Sequence, residues 1–300
     1  MQRIKLAACV MLAVSIAVCG FSTRARGGEE GNTLRVGGST TLLPIIADAA
    51  SRFMEKYETW NKVDPNLPAE TILIYVTGGG SGFGVKSAMN GAFDIGCSSR
   101  PLKAEEEAKL GLHHQYLLSK DCLAFAANAN SALAKATDNL TRDEAARIVS
   151  GEAKTWRDVR SDLPATPIVN VIRDAASGSS EMVKQIVLGR RGFSPEAIQV
   201  ASQGANIKKL EGNDNAFGYL SSVLAQASNR LKVFTYEGVE PSNENVLSGK
   251  YAITRPLLLI IKGEPGPMAQ GFVDYLLNDG QEIVEAYGYV PVKRLSGESK

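Results

Sequence analysis

The chain has 300 residues, 44% hydrophobic and 22% charged, with a formal net charge of +1. That composition can bury a core, which excludes a disordered chain, and so balanced a charge gives no electrostatic basis for nucleic-acid binding; an anionic partner has to be met by local groups. At roughly 150 residues per domain the length fits two domains or one large one, and the 29 Gly and 12 Pro fall in short runs without a repeat, which excludes collagen-like and low-complexity chains.

Residues 1–27 read as a signal peptide. Arg3 and Lys5 precede the uncharged run from Leu6 to Cys19, and Gly20, Phe21 and Ser22 follow, the layout of an export leader. The run is shorter than the ~20 residues of a spanning helix, and no later stretch reaches that length. The mature chain is therefore expected to be soluble and exported or periplasmic. Cys19 stands where a bacterial lipoprotein is acylated, although Val18 before it is larger than the small residue such a site takes; lipid anchoring through Cys19 stays open. Loss of Arg3, Lys5, Arg24 and Arg26 with the leader leaves the mature chain mildly acidic. Of the four cysteines, Cys97 and Cys122 then remain. They could pair in an exported protein, yet both lie in apolar strand-like runs, which favours free, buried thiols. There is no CxxC spacing, and the only histidines, His113 and His114, are adjacent, so no zinc ligand set is offered and no cofactor is expected.

Thr33 to Gly37 is β-rich. From Thr41 to Tyr57, Leu42, Ile45, Ile46, Ala49, Phe53 and Tyr57 recur at three- and four-residue spacing, an amphipathic helix with Pro44 tolerated in its first turn. Thr71 to Thr77 predicts a strand, Gly78 to Gly84 a glycine-rich turn, Val85 to Met89 a short helix, Asp94 to Ser98 a strand and Ala104 to Leu110 a helix closed by Gly111. Beyond them, Asp121 to Ala127 reads as a strand, Thr141 to Val149 as a helix, Pro167 to Arg173 as a strand, and Ser179 to Leu188 and Pro195 to Ala201 as helices. Ala216 to Leu220 and Tyr251 to Lys262 read as strands, and Pro267 to Leu277 and Gln281 to Tyr287 as closing helices. This alternation predicts an α/β fold with mainly parallel sheets flanked by helices. The long apolar runs at 121–127 and 251–262 are candidate crossings between two lobes, one built from 33–123 and 254–300, the other from 124–253.

Three polar glycine-rich turns follow predicted strands and lead toward predicted helices: Gly37-Gly38-Ser39-Thr40-Thr41, Gly78-Gly79-Gly80-Ser81-Gly82 and Ser177-Gly178-Ser179-Ser180. Each sets backbone N–H groups, hydroxyls and the positive end of a helix dipole at one place, an anion cradle. Any single turn could be plain N-capping; three of them, with Arg173 shortly before Ser177, point to a shared tetrahedral oxyanion. Nucleotide motifs fail. Lys86 follows Val85 rather than Gly84, off the P-loop spacing, and no G-x-G-x-x-G frame closes. Without G-x-S-x-G, a serine triad would have to recruit His113 or His114, so hydrolysis is unsupported and the chain is not expected to be an enzyme.

The stretches Gly37 to Ile45 (GGSTTLLPI), Gly78 to Gly84 (GGGSGFG), Asp94 to Leu102 (DIGCSSRPL), Leu140 to Val159, Arg173 to Ser179 (RDAASGS), Ala216 to Tyr219 (AFGY), Arg255-Pro256 and Gly288 to Pro291 (GYVP) together resemble the substrate-binding proteins of phosphate-specific ABC transporters, of the periplasmic-binding-protein type II superfamily. The resemblance spans almost the whole mature chain in order. It implies a two-lobed periplasmic-binding fold, each lobe a mainly parallel sheet flanked by helices and the two joined by hinge strands. A monomer of this kind closes on one inorganic phosphate and hands it to the membrane permease and ATPase subunits of a transporter. Carried over by residue, it makes Thr40 a hydroxyl ligand, Thr41 a main-chain N–H donor, Ser39 a neighbouring donor and Ser81 a donor through hydroxyl and amide. Arg173 becomes the charged partner, with Ser177, Gly178 and Ser179 closing from the other lobe.

One position departs from part of that family. Ser99 stands where some members carry an Asp that accepts the proton of phosphate; a serine can donate or accept. Discrimination against sulfate, the alternative ligand, is thereby left open. Arg100 is a further candidate cation near the anion, with a salt bridge to a neighbouring acid as its alternative.

Overall fold

The structure is a computed structural model and describes residues 32–295. The signal-peptide expectation for 1–27, with Cys9 and Cys19, lies outside the described residues. Eleven strands are formed among those described: β1 (Thr33–Gly38), β2 (Leu73–Thr77), β3 (Ile95–Ser98), β4 (His113–Asn128), β5 (Asn139–Leu140), β6 (Val169–Arg173), β7 (Ile198–Val200), β8 (Ala216–Ser221), β9 (Leu231–Val233), β10 (Thr235–Tyr236) and β11 (Thr254–Lys262). The main sheet runs β2-β1-β3-β11-β4-β8-β6-β7, with β9 also on β4; β5 and β10 pair separately. The fold is α/β, as the alternation predicts. Its two ends are parallel (β2-β1-β3 and β8-β6-β7), while the centre, β3-β11-β4-β8, is antiparallel. β4 leaves the first end and β11 returns to it, so two neighbouring strands that carry the chain out and back must run in opposite directions.

Two large apolar cores flank this sheet. The first gathers Leu34, Val36, Ile45, Phe53, Trp60, Leu118, Leu257, Leu259 and Phe272. Here the helix Leu43–Tyr57 buries the face expected of it, with Phe53 edge-on to Phe272 and Tyr275 at 5.2 Å each. The second core gathers Cys122, Leu123, Phe125, Trp156, Val183, Phe217 and Tyr219. Full burial of each large apolar side chain stabilises by about 1.5–3 kcal/mol, so neither core is incidental. β4 passes from the first core to the second between Leu118 and Cys122, and β11 passes back between Ile253 and Leu257. Cys97 and Cys122 are free and buried, and burial pushes both thiols up to about 12.

Several elements differ from expectation. The segment read as a helix over Pro195 to Ala201 is a turn followed by β7, whose Ile198, Gln199 and Val200 pair in parallel with Val171, Ile172 and Arg173. Proline at a first helical position reads as a start signal, but pairing with β6 outweighs so weak a local preference. A helix over Gln203–Glu211, capped by Ser202, was not legible, since Gly204 stands in its first turn. β4 extends back to His113. The helix after β2 begins at Ser81 rather than Val85, so Gly82 and Gly84 are helical and the turn shrinks to Gly78–Gly80. Gly84 is what lets this helix lie on the sheet: a Cβ there would meet the Cys97 carbonyl oxygen at 2.5 Å.

Candidate functional site

Asp121 and Arg255 are register partners on β4 and β11, at the point where both strands pass between the cores, and both side chains are fully buried. A lone ion in an apolar strand would cost several kcal/mol, so each requires the other. Arg255 Nε and Nη2 donate to Asp121 Oδ2 at 3.0 and 2.6 Å, and Ser221 Oγ donates to Asp121 Oδ1 at 2.9 Å. Burial pushes the Asp121 carboxyl upward against the pull of Arg255 and Ser221.

The rest of the Arg255 guanidinium faces hydroxyls. Nη1 donates to Ser179 Oγ at 2.7 Å and Ser99 Oγ at 3.3 Å, and Nη2 to Thr41 Oγ1 at 3.0 Å. Gln203 Nε2 donates to Thr41 Oγ1 at 3.1 Å and Ser179 Oγ at 3.4 Å. Ser81 Oγ accepts the Ser99 N–H at 2.9 Å and lies 3.1 Å from Ser99 Oγ. All of these side chains are buried. Arg255 comes from β11, and its companions arrive from five places: the turn after β1, the start of the helix Ser81–Met89, the residue after β3, the start of the helix Gly178–Val183 and the start of the helix Gln203–Glu211.

The hydrogen-bond arithmetic fixes what this cluster can do. A hydroxyl has two acceptor pairs and one proton. Thr41 Oγ1 and Ser179 Oγ each receive one N–H from Arg255 and one from Gln203, so their own protons are left to donate. Donors aimed by a buried cation and backed by the first turns of helices form a shell for an oxyanion.

The expected site residues distribute as follows. Thr41, Ser81, Ser99 and Ser179 enter the cluster through their hydroxyls. Thr40 is half-buried with its methyl beside Gly78, while Thr41, expected to give its main-chain N–H, brings its hydroxyl to the cluster and directs that N–H at Ser39 Oγ, 3.3 Å away. Successive residues of so tight a turn point in different directions. Ser177 is buried and caps its helix, accepting the Ser179 N–H at 3.2 Å. Gly178 presses its bare Cα against Ser81 and Ser99, and Gly82 N–H donates to the Ala176 carbonyl at 3.0 Å, so the second and third glycine turns meet directly.

The two candidate cations are placed as follows. Arg173 is buried, but its Nε and Nη2 are given to the Val200 and Ala201 carbonyls at 3.1 and 3.0 Å, which anchors β7 and the residues leading to Gln203. Burial pulls its guanidinium pKa below the ordinary value; Asp174 opposes this and the nearby positive charge of Arg255 adds to it. Two buried guanidiniums in each other's field are relieved by an anion. Arg100 takes the salt-bridge alternative, with Nη1 and Nη2 on Glu106 at 2.7 Å each and Nε 3.0 Å from Glu181. Burial works against its charge, and the hydrogen bond with Glu106 and the fields of Glu181 and Glu106 overcome that and hold its pKa above the ordinary value.

Sequence reasoning assigned no role to Arg255 or Gln203. The available signal was one Asp and one Arg, each interrupting an apolar run that was itself read as a crossing strand.

The PBP superfamily domain matches residues 23–280. The chain belongs to the PBP superfamily. It is 28% identical over 270 residues to the phosphate-binding protein PstS of Borreliella burgdorferi, spanning 86% of this chain and 89% of that one. To PstS of Bacillus subtilis it is 29% identical over 299 residues, spanning 96% and 92%. A solved structure with bound phosphate from Clostridium perfringens, assigned to the phosphate ABC transporter substrate-binding proteins, superposes with a TM-score of 0.73 at 28% identity and covers 87% of this chain and 100% of that one. Within the PBP superfamily frame, the hydroxyl cluster of this chain occupies the junction of the two cores, where the crossing strands meet the helix starts.

Proposed function

We propose that the chain is the exported substrate-binding protein of an ABC transporter, capturing inorganic phosphate between its two cores and delivering it to membrane permease and ATPase subunits. One observation carries this reading: Thr41, Ser99 and Ser179, from three separate segments, converge on the buried guanidinium of Arg255, with Ser81 and Gln203 joining them and Arg173 close enough to feel its charge. The named relatives agree with it; they are phosphate-binding proteins, not enzymes. Each hydrogen bond to an anion contributes about 1.5–3 kcal/mol net, so a preorganised shell with few charges suffices.

On this reading 33–123 with 254–300 and 124–253 are lobes that swing about β4 and β11, and the meeting of the glycine turns is the closed state. The assignment of Thr41, Ser81, Ser99 and Ser179 as direct ligands, with Ser39, Thr40, Ser177 and Gly178 at the rim, belongs to the same proposal. A leader at 1–27 exports the chain as a monomer; acylation at Cys19 would retain it at the membrane, and cleavage beyond Cys19 would release it. Among the described residues no helix is long and apolar enough to cross a membrane.

Glu181 joins the two lobes through Arg100 at 3.0 Å and Lys103 at 2.7 Å. An ion pair made only on closure favours the liganded state, so Glu181→Gln is expected to weaken phosphate binding about three- to tenfold, with the deficit shrinking as salt screens the pairs. Fluorescence titration of both proteins at low and high salt checks this. The function itself is tested by calorimetric titration of the mature protein with phosphate, arsenate and sulfate. Saturable one-to-one binding of phosphate is expected; a protein that takes sulfate and ignores phosphate would overturn it.

A further inference from the structure

Tyr289 is buried in the first core, yet its hydroxyl reaches the end of β8, where Tyr289 Oη lies 3.0 Å from Ser221 Oγ. We infer that Tyr289 is a positioning residue for the anion site: its O–H donates to Ser221, Ser221 donates to Asp121, and this buried chain holds the Arg255 guanidinium where it meets Thr41, Ser99 and Ser179. The inference rests on the phosphate reading and adds what keeps the charged centre of that site in place.

The direction of the chain follows from counting protons. An ionised Asp121 can only accept, so the one proton of Ser221 goes to Asp121 Oδ1 at 2.9 Å, and Ser221 is left as the acceptor toward Tyr289. Burial, reinforced by the field of Asp121, pushes the Tyr289 phenol upward, so it stays a donor at neutral pH. Arg255 Nε and Nη2 both take Asp121 Oδ2, while Oδ1 accepts from Ser221. A carboxylate gripped on both oxygens keeps one orientation, and the guanidinium forked onto it inherits that orientation. Hydrogen bonds linked in this way polarise one another, which strengthens each.

The far end of the chain is fixed as well. Tyr289 N–H donates to the Val284 carbonyl at 3.1 Å, Ser119 Oγ to the Val290 carbonyl at 2.8 Å, and Val292 N–H to Gln281 Oε1 at 2.7 Å. Residues 289–292 are thereby tied to the helix Gln281–Ala286 and to β4. From the 124–253 part of the chain, Asn243 Nδ2 donates to the Gly288 carbonyl at 2.8 Å. The hydroxyl of Tyr289 thus stands on a braced segment and meets Ser221, which pairs with Leu123 just past the point where β4 changes cores.

The test is calorimetric titration of the full mature protein with inorganic phosphate, read as a double-variant cycle. Tyr289→Phe keeps the ring in the core and removes the donor, and its affinity is expected to fall about three- to tenfold. Ser221→Ala is expected to lose at least as much. Adding Tyr289→Phe to Ser221→Ala is expected to cost no more than about twofold further, because Tyr289 acts through Ser221. Ser221→Thr, which restores the hydroxyl, is expected to bind more tightly than its isostere Ser221→Val, a difference that packing alone does not produce. Thermal melts confirm that each variant is folded. Unchanged affinity in Tyr289→Phe, losses that multiply in the double variant, or equal affinities for Ser221→Thr and Ser221→Val would overturn the positioning role and leave the oxyanion site standing. Wild type that binds no phosphate would remove the functional reading, and this inference with it.

Discussion

Arg255→Met is expected to abolish measurable phosphate binding and to lower the stability of the protein by about 3–5 kcal/mol, the usual cost of removing one partner of a buried ion pair. Two effects combine. The hydroxyls of Thr41, Ser99 and Ser179 lose the donor that orients them, and Asp121 is left buried with Ser221 and no cation. The pH dependence separates them. Without Arg255, burial holds the Asp121 pKa in the folded state above its unfolded value, so the folded variant prefers the protonated acid. Its stability is then full at acidic pH and is lost as pH rises through the folded pKa. Thermal melts of Arg255→Met from acidic to alkaline pH are expected to fall in that direction. Asp121→Asn/Arg255→Met, which has no charge to strand, should recover much of the stability and none of the affinity. Arg255→Lys keeps the charge but not the fork, so it is expected to fall between wild type and Arg255→Met in both measurements. A double variant that regained phosphate binding would show that the guanidinium only balances Asp121.

Gly178→Ala is expected to weaken phosphate binding by about 10- to 100-fold with little change in the melting temperature of the ligand-free protein. A Cβ at this position would lie 2.5 Å from Ser81 Oγ and 3.1 Å from Ser99 Oγ. Ser81 cannot simply rotate away, since its Oγ accepts the Ser99 N–H. Overpacking of this size costs about 1–3 kcal/mol, and because the clash exists only where the two glycine turns meet, the closed state bears it. Calorimetry together with small-angle scattering with and without phosphate checks the prediction; unchanged affinity would mean that closure does not bring Gly178 onto Ser81.

Much of this arrangement was legible because local chemistry dictated it. Three- and four-residue apolar spacing marked the helix Leu43–Tyr57, and polar glycine turns marked the places where Thr41, Ser81 and Ser179 stand. What escaped depends on tertiary pairing. Arg255 meets Asp121 from 134 positions away and Thr41 from 214, and no window of sequence contains both ends of such a contact. Gln203 was hidden for the same reason, behind a segment that Pro195 made look helical and that pairing with β6 turned into a strand. For Arg173, which the resemblance makes the charged partner, no local pattern showed that its Nε and Nη2 are given to the carbonyls of Val200 and Ala201.

The central claim, that separate hydroxyls and one buried guanidinium form a single anion site, is tested most directly by crystallising the mature protein with arsenate and locating the arsenic by its anomalous signal. One peak within hydrogen-bonding reach of Thr41, Ser99 and Ser179, with Ser81 and Gln203 beside it, is the predicted result. Arsenic found only at the surface, or held by Arg100 and Lys103 apart from the hydroxyl cluster, would contradict it.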